Sequence, residues 1–119
     1  MKTVNKVIEY VDKVKPNAYG EEEKFRWLSE LDGMVHRLVM QEEEAPEYRY
    51  PDDGDTELLV PYPFNEVYPL YMMAMIDLNN KEYTAYNNSV LVFNSKFEEY
   101  KKAYIREHLP KSAGTYKNV

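Results

Sequence analysis

The residues whose types could do chemistry are few, and their spacing argues against both catalysis and metal binding. The run DDGDTE, Asp52 to Glu57, gathers the clustered carboxylates that hard cations prefer. It lacks the alternating ligand spacing, the following glycine and the distal glutamate that a calcium loop needs, so a solvated acidic loop is the better reading. His36 and His108 fall at the ends of helical segments with no second histidine or carboxylate at metal-ligand spacing except neighbours that point elsewhere. Ser29, Ser89, Ser95 and Ser112 have no base arranged beside them, and the four glycines are isolated, so no phosphate cradle exists. Cysteine is absent, which removes disulfides, thiolate zinc sites and cysteine nucleophiles together. The expectation is a protein that is not an enzyme, with no catalytic residue, metal or cofactor.

Charge and composition point to contacts instead. The net charge is -6, but the stretch EEEAPEYRYPDDGDTE from Glu42 to Glu57 holds eight acids against Arg49, so the rest of the chain is nearly neutral. From Lys96 onward six Lys or Arg outnumber three glutamates. Such blocks are usually solvated, although a dipolar chain can also associate head to tail. Twelve tyrosines in 119 residues suit the edges of a small core and semi-polar interfaces equally well. A basic face for nucleic acid is missing, since only Lys101, Lys102 and Arg106 come near a cluster. The opening MKTVNKVIEYV has no signal-peptide core, and no apolar run reaches membrane length, so the chain reads as soluble and cytoplasmic in type.

The elements follow from periodicity. Val4, Val7, Ile8, Val11 and Val14 define a first helix from about Thr3, the N-cap candidate, to Lys15, stopped by Pro16. After the KPNAYG turn, three glutamates open a second helix with the stripe Leu28, Leu31, Val35 and Leu38, and Gly33 inside it suggests close packing on a neighbouring helix. Periodicity is lost from Glu42 to Pro63, and five of the seven prolines fall between Pro46 and Pro69. This is a long proline-rich acidic loop, in which EYRY and TELLV are the segments able to form a short β-hairpin. A loop of such length tends to be functional or disordered, and the apolar LLV favours docking. The third helix lies in FNEVYPLYMMAMIDLNN, capped by Asn65 or starting at Pro69, and is apolar on every face from Leu70 to Ile76, as a central helix must be.

The fourth helix, roughly Lys81 to Glu107, carries a seam of Tyr83, Tyr86, Val90, Phe93, Phe97, Tyr100 and Tyr104 at steps of three and four. Asn87 and Asn94 flank it on one side, where they read as a polar margin that fixes register. Leu91 and Val92 lie off the seam, leaving apolar contacts on a second face. The fold expected is all-α, a bundle of about four helices over residues 1–110, followed by a flexible tail, 111–119.

Three segments, KPNAYGEEEKFRWLSELDG, ELLVPYPFNEVYPLYMMAMIDLNNKEY and AYNNSVLVFNSKFEEYKKAYIREHLP, together resemble the small head-tail connector, or adaptor, proteins encoded beside the portal gene in tailed phages and prophages of Gram-positive bacteria. The pattern of Arg26-Trp27-Leu28 with Tyr86-Asn87-Asn88 is the most distinctive part. The resemblance implies a structural protein of the virion neck, assembled in the host cytoplasm as a ring beneath the portal. It would extend the DNA channel without binding DNA specifically, and would contact the portal, a neck or tail-completion protein and its own copies. Loop and terminal segments are then the expected contacts, with Tyr48, Arg49, Tyr50, Leu58, Leu59 and Val60 as anchors because aromatic, arginine and aliphatic residues carry most interface energy. The alternative class is a small acidic helical regulator that binds another protein, for example a DNA-mimic inhibitor. Against it, the acids crowd into one proline-broken loop rather than spreading over a rigid face.

Overall fold

The computed structural model of the protein describes residues 1–108, so the expected tail, 111–119, lies outside the described residues. Four helices appear: α1 (Val4–Val14), α2 (Glu21–Met34), α3 (Val67–Asn79) and α4 (Tyr83–Glu107). The all-α expectation holds. Among the described residues the only β feature is an isolated antiparallel bridge between Thr3 and Glu57.

The hairpin at EYRY and TELLV does not form, because both segments give their backbone donors to other parts of the chain. Tyr48 N–H bonds the Ser29 hydroxyl at 2.8 Å, and Arg49 N–H bonds the Asp53 carboxylate at 2.8 Å. Leu58 N–H goes to the Lys2 carbonyl, Leu59 N–H to Asp32 and Val60 N–H to the Tyr68 hydroxyl.

That loop completes α1. A helix start leaves four N–H groups without partners. Here Val4 N–H finds the Thr56 carbonyl, Asn5 N–H the Gly54 carbonyl and Lys6 N–H the Thr3 hydroxyl, before Val7 N–H makes the first regular helical bond, to the Thr3 carbonyl. Thr3 is thus the N-cap the sequence indicated. Val4, Val7, Ile8 and Val11 are buried, whereas Val14, the last of the predicted stripe, is half exposed in the final turn.

In α2 the stripe is interrupted. The helix widens into a π turn at Val35–Val39 before Gln41, with φ of 58°, ends it. A wider turn advances each residue by less than 100°, so the place Leu38 would take in a regular helix passes to Val39. Val39 is buried and Leu38 is 57% exposed, which corrects the predicted stripe. Gly33 does not admit a neighbouring helix either. A Cβ there would meet Ala45 Cβ at 3.8 Å, an ordinary contact with the loop. Gly33→Ala is therefore expected to raise stability by about 0.5–1 kcal/mol, because alanine loses less backbone entropy in a helix. The check is a higher urea midpoint at unchanged m-value; a lower midpoint would mean that the loop cannot accept the methyl group.

α3 starts at Val67, with Pro69 in its first turn where a missing N–H costs nothing. It packs against α1, α2 and α4, which accounts for its lack of a polar face. Its C-terminus closes with Lys81 N–H on the Leu78 carbonyl and Glu82 N–H on the Asp77 carbonyl, the two bonds of a Schellman motif, with Lys81 at φ 61° in the left-handed position. The chain then reverses into α4, which runs about 37 Å at 1.5 Å per residue and rests on α3 and on the π turn.

Candidate functional site

Asp32 organises the loop. It lies on the buried face of α2 between Leu28 and Val35, fully inaccessible to solvent. Its Oδ2 accepts hydrogen bonds from the Tyr48 hydroxyl and from Leu59 N–H at 3.0 Å, and its Oδ1 accepts from the Tyr68 hydroxyl at 2.6 Å. The Tyr68 hydroxyl in turn accepts from Val60 N–H at 2.6 Å. One carboxylate therefore ties both ends of the loop, Tyr48 and Leu59–Val60, to α2 and α3. Burial pushes the Asp32 carboxyl above its ordinary value, and the bonds from Tyr48, Tyr68 and Leu59 oppose that shift. The same enclosure, with Asp32's charge beside them, pushes both phenols well above the ordinary tyrosine range.

A second polar node joins the helices. Asp77 of α3, also buried, pairs with Lys15 Nζ at 2.8 Å and accepts from the Ser89 hydroxyl of α4 at 3.1 Å. Lys24, buried in α2, pairs with Asp12 of α1 at 2.7 Å. The polar contact between α3 and α4 thus uses Ser89. Asn87 and Asn94 are both exposed and fix no register within this chain.

Of the remaining seam residues, Phe93 and Tyr100 are buried, Tyr86, Val90, Phe97 and Tyr104 are half-buried, and Tyr83 is 57% exposed. The aromatic rings form a ladder along the α3 side: Tyr71 on Phe93, Phe93 on Phe97, Phe64 on Tyr100, and Tyr104 stacked on His108 at 3.8 Å.

The six expected anchors separate into two groups. Tyr48 and Val60 are buried in the chain's own core, where Asp32 and Tyr68 occupy their polar groups, so neither is available to a partner. Leu58 and Leu59 are half-buried against the same core. Arg49 and Tyr50 remain outside, Tyr50 with its ring edge against Phe25 at 5.2 Å. They form one wall of an open groove of about 880 Å³ whose other wall is α2, with Glu22, Glu23, Arg26 and Glu30. Arg26 bridges Glu23 and Glu30 along that wall. Sequence reading missed Tyr62, which is 82% exposed between Pro61 and Pro63 beside a cleft of about 290 Å³ lined by Leu59, Phe64, Tyr100 and Tyr104. The legible signal was PYP, a tyrosine held between two residues of fixed φ.

Among the described residues no group of three His, Asp or Glu is placed to hold a metal ion, and no helix is long and apolar enough to cross a membrane. Asp53 of the acidic run is used internally, closing the turn from Arg49. What the arrangement offers is an ordered loop that presents Arg49 and Tyr50 at the α2 groove and Tyr62 at a separate cleft beside the end of α4. No family model matches the sequence, and no curated protein or solved structure matches it.

Proposed function

We propose that this chain is a structural assembly protein that works by presenting a fixed loop platform to other proteins. Within that class, the reading we favour is a head-tail connector of a tailed phage or prophage, a ring-forming adaptor between the portal and the next neck or tail protein. The observation that carries it is the loop itself. A passive connection of this length would hang free, whereas this one is tied to α1, α2 and α3 by Lys2, Ser29, Asp32 and Tyr68 while Arg49, Tyr50 and Tyr62 face outward. Aromatic side chains on a pre-ordered backbone suit recognition, because little backbone entropy remains to be lost on binding, and an exposed arginine adds hydrogen-bond donors. The resemblance of the α1–α2 junction, the loop into α3, and α4 to the connector proteins supplies the particular class.

The test is electron microscopy of the purified protein mixed with its portal. A ring seated on the portal supports the reading, and a protein that shows no portal affinity overturns it. Arg49→Ala combined with Tyr62→Ala removes two outward side chains without touching the core. The double variant is expected to weaken portal binding at least about tenfold with unchanged thermal stability. Binding unaffected by the pair would sink the platform assignment.

A further inference from the structure

The groove between α2 and the Glu47–Tyr50 segment has a charge pattern along its length. The segment runs antiparallel to α2: Tyr48 N–H bonds the Ser29 hydroxyl at 2.8 Å, the Tyr50 ring lies 5.2 Å from Phe25 one turn nearer the helix start, and Pro51 shares a cavity with Glu21. Glu22 therefore stands at one end of the groove, and Glu30 with Glu47 at the other. At 1.5 Å per residue the two ends are about 12 Å apart. Between them lie buried Phe25, Tyr50 at 45% exposed, and the two arginines, Arg26 and Arg49. Arg26 is already shared by Glu23 and Glu30. Arg49 Nε is 3.7 Å from Glu47, with both side chains well exposed, and Glu22 is in none of the ion pairs of the described residues.

We propose that this groove binds an extended segment of a partner protein that carries a basic residue at its first and fifth positions and an apolar residue at its third. The proposal rests on the loop reading above and names the chemistry that the groove takes. An extended chain advances about 3.3 Å per residue, so its first and fifth positions are about 13 Å apart and share one face with the third. The two basic residues then meet the carboxylates at the two ends. The apolar residue meets Phe25 and Tyr50 in the middle, where Arg26 and Arg49 would repel a third cation.

Charge selects this occupant. A partner that closes over the groove takes water from Glu22 and Glu47, and a carboxylate that loses water without gaining a cation is strongly penalised. Neutral and acidic segments are therefore disfavoured. The net charge of -6, concentrated in the loop beside the groove, also draws a basic partner in from a distance.

The probe is a labelled peptide, Arg-Ser-Leu-Ser-Arg, followed by fluorescence anisotropy as the full chain is added. Binding should saturate below about 1 mM chain and weaken about tenfold between about 50 and about 500 mM salt. A peptide of the same composition with its arginines adjacent should bind about fivefold more weakly, because only one end of the groove is then served. Glu22→Gln combined with Glu47→Gln should weaken binding about tenfold, and both residues are exposed, so the fold is not at risk. Glu43→Gln combined with Glu44→Gln makes the same change of charge at exposed loop residues that do not line the groove, and should weaken it less than about twofold. No saturation, equal binding of the two peptides, or equal losses from the two pairs of substitutions would each overturn the proposal. So would self-association of the free chain that disappears with Glu22→Gln and Glu47→Gln, since a second copy would then be the occupant. The assay uses no portal: a chain that binds the patterned peptide and ignores the portal keeps the groove assignment and loses the connector reading, and the opposite pair of results does the reverse.

Discussion

Asp32→Ala is expected to cost about 3–5 kcal/mol, a large share of the roughly 5–15 kcal/mol that holds a domain of this size. The substitution removes little apolar packing. Its cost comes from leaving the Tyr48 hydroxyl, the Tyr68 hydroxyl and Leu59 N–H without their acceptor in a region closed to water. Tyr48→Phe and Tyr68→Phe remove one donor each and leave the carboxylate its other bonds, so each should cost only about 1–3 kcal/mol. Tyr68→Phe sits at the upper end, because it also strands Val60 N–H. The network should be non-additive. Asp32→Ala made in the Tyr48→Phe, Tyr68→Phe background has only Leu59 N–H left to orphan, and should cost about 2 kcal/mol less than in the natural chain. Urea denaturation of the set measures this. Hydrogen exchange adds a local readout, since the backbone amides of Tyr48, Leu59 and Val60 should lose protection before those of α1 and α3. Additive costs, or an Asp32→Ala loss under about 1 kcal/mol, would mean that Asp32 is only tolerated where it lies.

How much of this was legible depends on the range of the interaction. Thr3 as a cap, Pro16 as a stop and α3 as the central helix could be read because each rests on a few neighbouring residues or on one period. The π turn could not. Nothing local in VHRLV announces the widening that exposes Leu38 and buries Val39, which is settled by how the end of α2 packs against α4. Asp32 lay between these cases. An acid flanked by Leu28 and Val35 on the apolar stripe, with no Lys or Arg three or four residues away, carries a readable signal that it must bond something distant. Its partners, Tyr48, Leu59 and Tyr68, are 16, 27 and 36 residues on, and no periodicity links them. The loop was misjudged for the same reason. Its alternating EYRY and TELLV segments suggested a hairpin that does not form, and its anchors looked available to partners, because the donors and acceptors that bind them are on other elements. Leu91 and Val92 were the reverse case: their position off the seam was visible in sequence, and they do lie exposed on the outer face of α4.

The same buried phenols set a limit on stability at high pH. Tyr48 and Tyr68 are enclosed beside the Asp32 charge and hold their protons well beyond the ordinary tyrosine range, and burial pushes Tyr100 up to about 12. In the unfolded chain all three ionise near the ordinary value of 10.0. A group whose folded pKa is raised adds stability that is fully present below the unfolded value and is lost as the pH climbs toward the folded one. Between pH 9 and 11 the unfolded state therefore releases protons that the folded state keeps, and each phenol contributes a loss of about 1.4 kcal/mol by pH 11. Three together give about 4 kcal/mol, enough to bring a marginal domain close to its midpoint. Melting curves at half-unit steps should be level up to about pH 9 and fall steeply beyond it, with tyrosinate absorbance rising at unfolding rather than before. Tyr48→Phe should reduce the steepness by about a quarter to a third, since burial raises Tyr71 as well, although it lowers stability at neutral pH, because the variant has one fewer proton to lose on unfolding. A slope that Tyr48→Phe and Tyr68→Phe leave unchanged would show that the alkaline transition belongs to other groups, and that the Asp32 node does not hold its phenols protonated.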